Sequence, residues 1–119
     1  MRKVAFVCGP YNKLDKHNLS TAHNISVAEE CAIWLWNNDY SAFCPHMNTR
    51  DFHLLTYVPE REYVNFYLKV LASGFINLLV LLPHWRDSTS ARKESNLARQ
   101  LSIPRYYWTP NADHLTLAK

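Results

Sequence analysis

The chain has 119 residues, a mass of 13.9 kDa and a formal charge of +3. Surface scaling predicts that about two-thirds of the unfolded area is buried on folding, enough for one hydrophobic core without disulfide or metal staples, and so for a single domain. Hydrophobic residues at 48% and charged residues at 19%, with two glycines and six prolines, exclude a disordered, low-complexity or collagen-like chain.

The cations are scattered, with no run beyond pairs such as Arg92-Lys93. A protein that binds a nucleic-acid polymer concentrates them on a stripe or an arm, so a polymer partner is not expected, while a small phosphorylated ligand is compatible. Cys8, Cys31 and Cys44 are odd in number, lack a Cys-x-x-Cys spacing and sit in hydrophobic stretches, which predicts buried thiols in a reducing compartment. The apolar run after Met1-Arg2-Lys3 stops at Gly9-Pro10, too soon for a signal peptide, and no apolar run approaches the ~20 residues that span a bilayer. These features predict a cytoplasmic protein without membrane contact.

Val4-Ala5-Phe6-Val7-Cys8 is continuously apolar and predicts a strand buried on both faces. Residues 11–23 are polar and read as a loop, after which Asn24 is expected to cap a helix over residues 25–38 whose inner face carries Ile25, Ala28, Cys31, Ala32 and Leu35. Residues 40–44 predict a second strand ended by Pro45, and residues 46–59 an aromatic, polar loop. Pro59 suits the start of a helix running to about Ala72, with Ser73-Gly74 closing it. Residues 78–82 predict a third buried strand ended by Pro83, and Ser88 or Ser90 is expected to cap a helix over residues 91–101. Tyr106-Tyr107-Trp108 predicts a fourth strand. Trp34, Trp36, Tyr63 and Phe66 read as packing residues on helix faces.

The order β-α-β-α-β-α-β predicts an α/β fold with a parallel sheet covered on both faces. Ligands of such sheets bind beyond the carboxyl ends of the strands. Here those ends are Gly9-Pro10-Tyr11, Pro45-His46-Met47-Asn48 and residues 83–90, the most chemically loaded segments of the chain. Glu94 lies one turn into the last helix at that edge. It is not part of a capping box, because Ala91 stands where the box would need Ser or Thr. Ser88, Thr89 and Ser90 lead into the same helix, where free backbone N–H groups suit a phosphate or sugar hydroxyls; ordinary capping explains at least one of them. His46 and Asn48 suit contacts to a base or sugar, or simple turn chemistry. Tyr11 and Trp85 suit stacking on a nucleobase, or half-buried packing. Cys44, His46 and His53 match no structural zinc spacing, so no metal is expected. Glycine-rich nucleotide fingerprints and a Ser-His-Asp arrangement are absent.

Taken in order, Cys8-Gly9-Pro10-Tyr11, Asn24-Ile25, Pro45-His46-Met47-Asn48-Thr49, Leu82-Pro83-His84-Trp85, and Ser88 and Ala91 with Glu94 resemble the nucleoside 2-deoxyribosyltransferase-like superfamily, over about residues 3–108. The resemblance implies a three-layer flavodoxin/Rossmann-like domain, four or five parallel strands in the order 2-1-3-4, and often a homodimer. It also implies cleavage of the N-glycosidic bond of a nucleoside or nucleoside 5′-monophosphate, without a cofactor. Glu94 stands at the nucleophile's position. Ser88 and Ser90 would hold sugar hydroxyls or a 5′-phosphate, Gly9, Pro10 and Tyr11 would line the pocket, and His46, Asn48 and Trp85 would edge it.

The chain departs from the pattern at three places. Lys69 stands where the superfamily usually has an aspartate that protonates the leaving base, Ser90 where it has a glycine, and His84 where it has glycine or asparagine. His84 is a candidate replacement acid, because histidine titrates near neutrality. Hydrolysis is expected over base exchange, since so short a chain has little material to enclose a second base. Arg86, Arg92 and Lys93 favour a phosphorylated substrate. The alternative is a non-catalytic nucleotide-binding or sensing module, which Lys69 and Ser90 favour; a third reading is an oligomeric scaffold whose aromatics form interfaces.

Overall fold

Side chains alternate along the first strand, and both sets are buried. Ala5 and Val7 pack in one cluster with Ala28, Cys31 and Leu35, while Phe6 and Cys8 pack in another with Tyr67, Leu71, Ala91 and Ala98. A strand covered on both sides has no polar face, which is why residues 4–8 read as an unbroken apolar run.

The computed structural model describes residues 1–50, 52–55 and 57–119. In chain order it comprises β1 (Lys3–Cys8), α1 (Thr21–Asn37), β2 (Tyr40–Phe43), α2 (Pro45–Asn48), α3 (Phe52–Leu55), α4 (Glu60–Leu71), β3 (Leu78–Leu81), α5 (Thr89–Gln100), β4 (Arg105–Tyr107) and β5 (Thr116–Leu117), with 3₁₀ turns at Asp15–His17 and Trp85–Asp87. The strands form one sheet in the order β2-β1-β3-β4-β5. The first four pair in parallel, and β5 runs antiparallel to β4. The fold is therefore α/β with a mostly parallel sheet. The expectation of an all-parallel sheet fails at the fifth strand, because the eight residues between β4 and β5 allow a reversal but not a crossover.

Local signals explain the helix bounds. α1 begins earlier than expected because Ser20, not Asn24, is its cap: the Ser20 hydroxyl accepts from the His23 N–H at 3.0 Å. Asn24 instead lies buried in the first turn and donates its amide to the carbonyl of Asn12 at 2.8 Å. Ser88 caps α5 by accepting from the Ala91 N–H at 3.2 Å. Gly74 follows α4 at φ 86°, a left-handed conformation that glycine adopts without strain. The stretch expected as one loop after β2 contains two single-turn helices, α2 and α3. Trp34 and Tyr63 pack against the core, whereas Trp36 and Phe66 are half exposed. Cys8 and Cys31 are buried free thiols and Cys44 is partly buried. Among the described residues, no helix is long and apolar enough to cross a membrane.

Candidate functional site

Parallel pairing brings the carboxyl ends of β1, β2 and β3 to one edge of the sheet. At the end of β1, a Cβ added to Gly9 would lie 2.6 Å from the Leu82 Cβ, so the glycine lets two strand ends approach closely. Gly9 is thus explained by packing. The next carbonyl, that of Pro10, accepts a hydrogen bond from His46 Nε2 at 2.8 Å. A carbonyl only accepts, so this bond places the proton on Nε2. Burial lowers the His46 pKa to about 4, against a partial rise from the Pro10 and Gly9 carbonyls, so the ring is neutral at pH 7. Its Nδ1 is then an acceptor, buried and without a hydrogen-bond partner among the described residues.

His46 forms part of a small cleft of about 50 Å³, partly open to solvent, between the end of β1, α2, α4 and the start of α5. One wall is made by Tyr11, His46 and Thr49, and Tyr11 is fixed by donating its hydroxyl to the Thr49 carbonyl at 2.6 Å. The opposite wall is Glu60, Tyr63, Val64 and Tyr67, a stripe at i, i+3, i+4 and i+7 along α4. Tyr67 accepts from the Asn48 amide at 2.9 Å and donates to the Pro45 carbonyl at 3.3 Å, tying α4 to α2. Glu60 accepts from the Asn12 amide, 2.8 Å from each oxygen. Aromatic walls with a few placed polar groups suit a flat, partly polar small molecule.

Ser90 closes the cleft at the start of α5 and lies 3.2 Å from the Ser88 hydroxyl. Glu94 follows Ser90 by four residues, one turn further along the same helix face. Helical side chains lean toward the N-terminus, here toward Ser90. Glu94 is only 6% exposed and is not among the lining residues of the cleft. Burial raises its pKa to about 8, against a partial lowering by the neighbouring Cys8 thiol. A carboxyl left without a cation in an apolar setting costs stability and is a mark of a functional group.

The expected site residues thus divide. Tyr11, His46 and Ser90 wall the cleft, Glu94 lies behind Ser90, Pro10 orients His46, and Asn48, itself exposed, braces Tyr67. Ser88 is a helix cap. His84 and Trp85 are not on this cleft; they face a separate hollow with Tyr107, Trp108 and Thr109, and the Arg86 guanidinium sits 5.2 Å from the Trp85 ring. The proposed acid role of His84 therefore finds no support in its placement. Lys69 is exposed in the last turn of α4. The His53 side chain lies outside the described residues. Sequence reasoning missed the α4 wall; the spacing of Glu60, Tyr63, Val64 and Tyr67 was its signal. No protein family, curated protein or solved structure matches the chain.

Proposed function

We propose that the chain is a nucleoside 2-deoxyribosyltransferase-like domain of three-layer flavodoxin/Rossmann-like build that cleaves the N-glycosidic bond of a nucleoside or nucleoside 5′-monophosphate in a reducing, cytoplasmic setting. The observation that carries the reading is the buried carboxyl of Glu94, in no ion pair among the described residues, one turn behind Ser90 at the strand-end edge beside an aromatic cleft. The sheet order, with α1 packed on one face and α4 and α5 on the other, supports the fold assignment.

In this reading the base stacks between Tyr11 and the tyrosines of α4, and the sugar lies toward Ser90. A carboxylate oxygen of Glu94 attacks the anomeric carbon, and the bond to the base nitrogen breaks with its electron pair leaving on the base. The base takes a proton from water, which the open cleft admits. A second water then hydrolyses the glycosyl ester and restores Glu94. Base release from ribo- and deoxyribonucleosides and their 5′-monophosphates, with wild type and Glu94→Gln side by side, tests the proposal. Release by wild type alone is expected; release by both overturns it.

One observation favours the second reading, a nucleotide-binding module. Glu94 is shielded from the cleft, and a carboxyl of pKa about 8 is mostly protonated at pH 7. Such a group donates a hydrogen bond to a sugar hydroxyl more readily than it attacks carbon. Stabilisation by a nucleotide without base release would establish that reading.

A further inference from the structure

His17, from the 3₁₀ turn after β1, meets His84 and Asp87, from the segment between β3 and α5. One ligating atom from each of the three lies within 4.8 Å of the others. The His17 and His84 rings are 4.1 Å apart between centroids, and His17 Nε2 is 2.6 Å from Asp87 Oδ2. The three side chains come from two loops, His17 and Asp87 standing 70 positions apart, so no sequence spacing announces them.

We propose that His17, His84 and Asp87 form a binding site for a divalent transition ion of the zinc class. Two imidazole nitrogens and one carboxylate oxygen match the preference of such ions, whereas magnesium and calcium require oxygen ligands throughout. Bonds of 2.0–2.1 Å to a tetrahedral ion hold ligand atoms about 3.3 Å apart. The widest separation here must therefore contract, and the His17–Asp87 contact must open. Both are within reach of side-chain rotation, because His84 and Asp87 are exposed and His17 is only partly buried. Lys16 lies 3.7 Å from the other carboxylate oxygen, Oδ1, and leaves Oδ2 to the histidine side. With three protein ligands, one position stays open for water. His84 and Asp87 also border the hollow of Trp85, Arg86 and Thr109, which offers that water a route to solvent. An ion here would clasp the loop after β1 to the loop after β3.

Without an ion, the same groups form only a surface hydrogen-bonded contact, and the two cases make different predictions. Untagged, chelator-treated protein is titrated with Co²⁺ and followed by visible absorption, with Zn²⁺ as competitor. Saturation at one equivalent per chain and displacement by Zn²⁺ are expected. Asp87→Asn and His84→Asn should each weaken binding at least about tenfold. Asparagine at 84 tolerates the left-handed backbone found there, φ 65°, so this variant keeps the fold, checked by circular dichroism. His23→Ala should bind as wild type does. Absence of a one-to-one endpoint, or unchanged affinity in both ligand variants, overturns the proposal. None of the three ligands lines the cleft of Tyr11 and Ser90, so this outcome is independent of base release.

Discussion

The thiol of Cys8 and the carboxyl of Glu94 lie close enough to shift each other's titration where the end of β1 meets α5. The thiol donates its proton to the Ala91 carbonyl at 3.3 Å. Burial and the adjoining carboxyl both push the Cys8 pKa upward, which keeps the thiol protonated. Glu94 thus has the thiol beside it and, among the described residues, no ion-pair partner, so its charge is left poorly compensated.

This arrangement makes stability fall with pH. The Glu94 pKa is about 8 in the fold against 4.5 for an unperturbed glutamate, so between these values the folded state holds a proton that the unfolded state has released. Its contribution is fully present below pH 4.5 and is lost as pH rises through 8. Glu94→Gln does not titrate. Urea unfolding at a series of pH values should show the variant more stable than wild type by about 2–3 kcal/mol at pH 7, with the gap closing toward pH 4.5. Parallel pH profiles for the two proteins would show that Glu94 is not held protonated.

The same titration separates the two functional readings. A nucleophile must be ionised, so base release should rise about tenfold per pH unit up to a plateau near pH 8. A protonated Glu94 that donates to a sugar hydroxyl predicts the reverse: nucleotide affinity, measured by calorimetry, weakens as pH passes 8.

Gly9→Ala should destabilise the protein by about 1–3 kcal/mol, the usual cost of overpacking a close contact. The added methyl would meet Leu82 Cβ at 2.6 Å and Cδ1 at 2.7 Å, and a Cβ cannot swing aside as a chain end does. Thermal unfolding checks this, and a neutral result would show that the two strand ends part freely.

Asn24→Ala should cost about 1–3 kcal/mol, because it leaves the partly buried Asn12 carbonyl without its side-chain donor. Asn12 also holds Glu60 across the cleft, so nucleotide affinity should fall with stability, read by calorimetry and unfolding on the same sample.

The central strands were legible because burial on both faces writes a continuous apolar run, as at Val4-Ala5-Phe6-Val7-Cys8 and at Leu78 to Leu82. Caps were less so. Asn24 and Ser20 are both capping residue types, and only the tertiary demand of the Asn12 carbonyl decides between them. Of the site, the placement of Tyr11 and His46 at the strand ends and of Glu94 near the same edge could be anticipated from topology, since parallel strands deliver their ends to one edge; the burial of Glu94 could not. The α4 wall escaped notice because Tyr63 and Tyr67 at helical spacing read equally well as core, and Tyr67 is in fact both core and wall. The separation of His84 from Glu94 was invisible too. Ten residues apart in sequence, they part company because His84 borders the hollow of Trp85 and Thr109 while Glu94 is buried along α5.

The reversed strand β5 has a consequence for how molecules meet one another. Tyr106 and Tyr107 pair with Leu117 and Thr116, the Ala118 N–H donates to the Arg105 carbonyl at 2.8 Å, and the Arg105 guanidinium reaches both Ser95 and the Lys119 carbonyl. The residues after 115 thus occupy the outer hydrogen-bonding rim of β4, which would otherwise be a template for a strand from another molecule. Peeling them back would strip a buried cation of one acceptor and bare a tyrosine-rich rim in the same motion. The short return strand acts as a guard against polymerisation, and chains clipped there would be the first to aggregate.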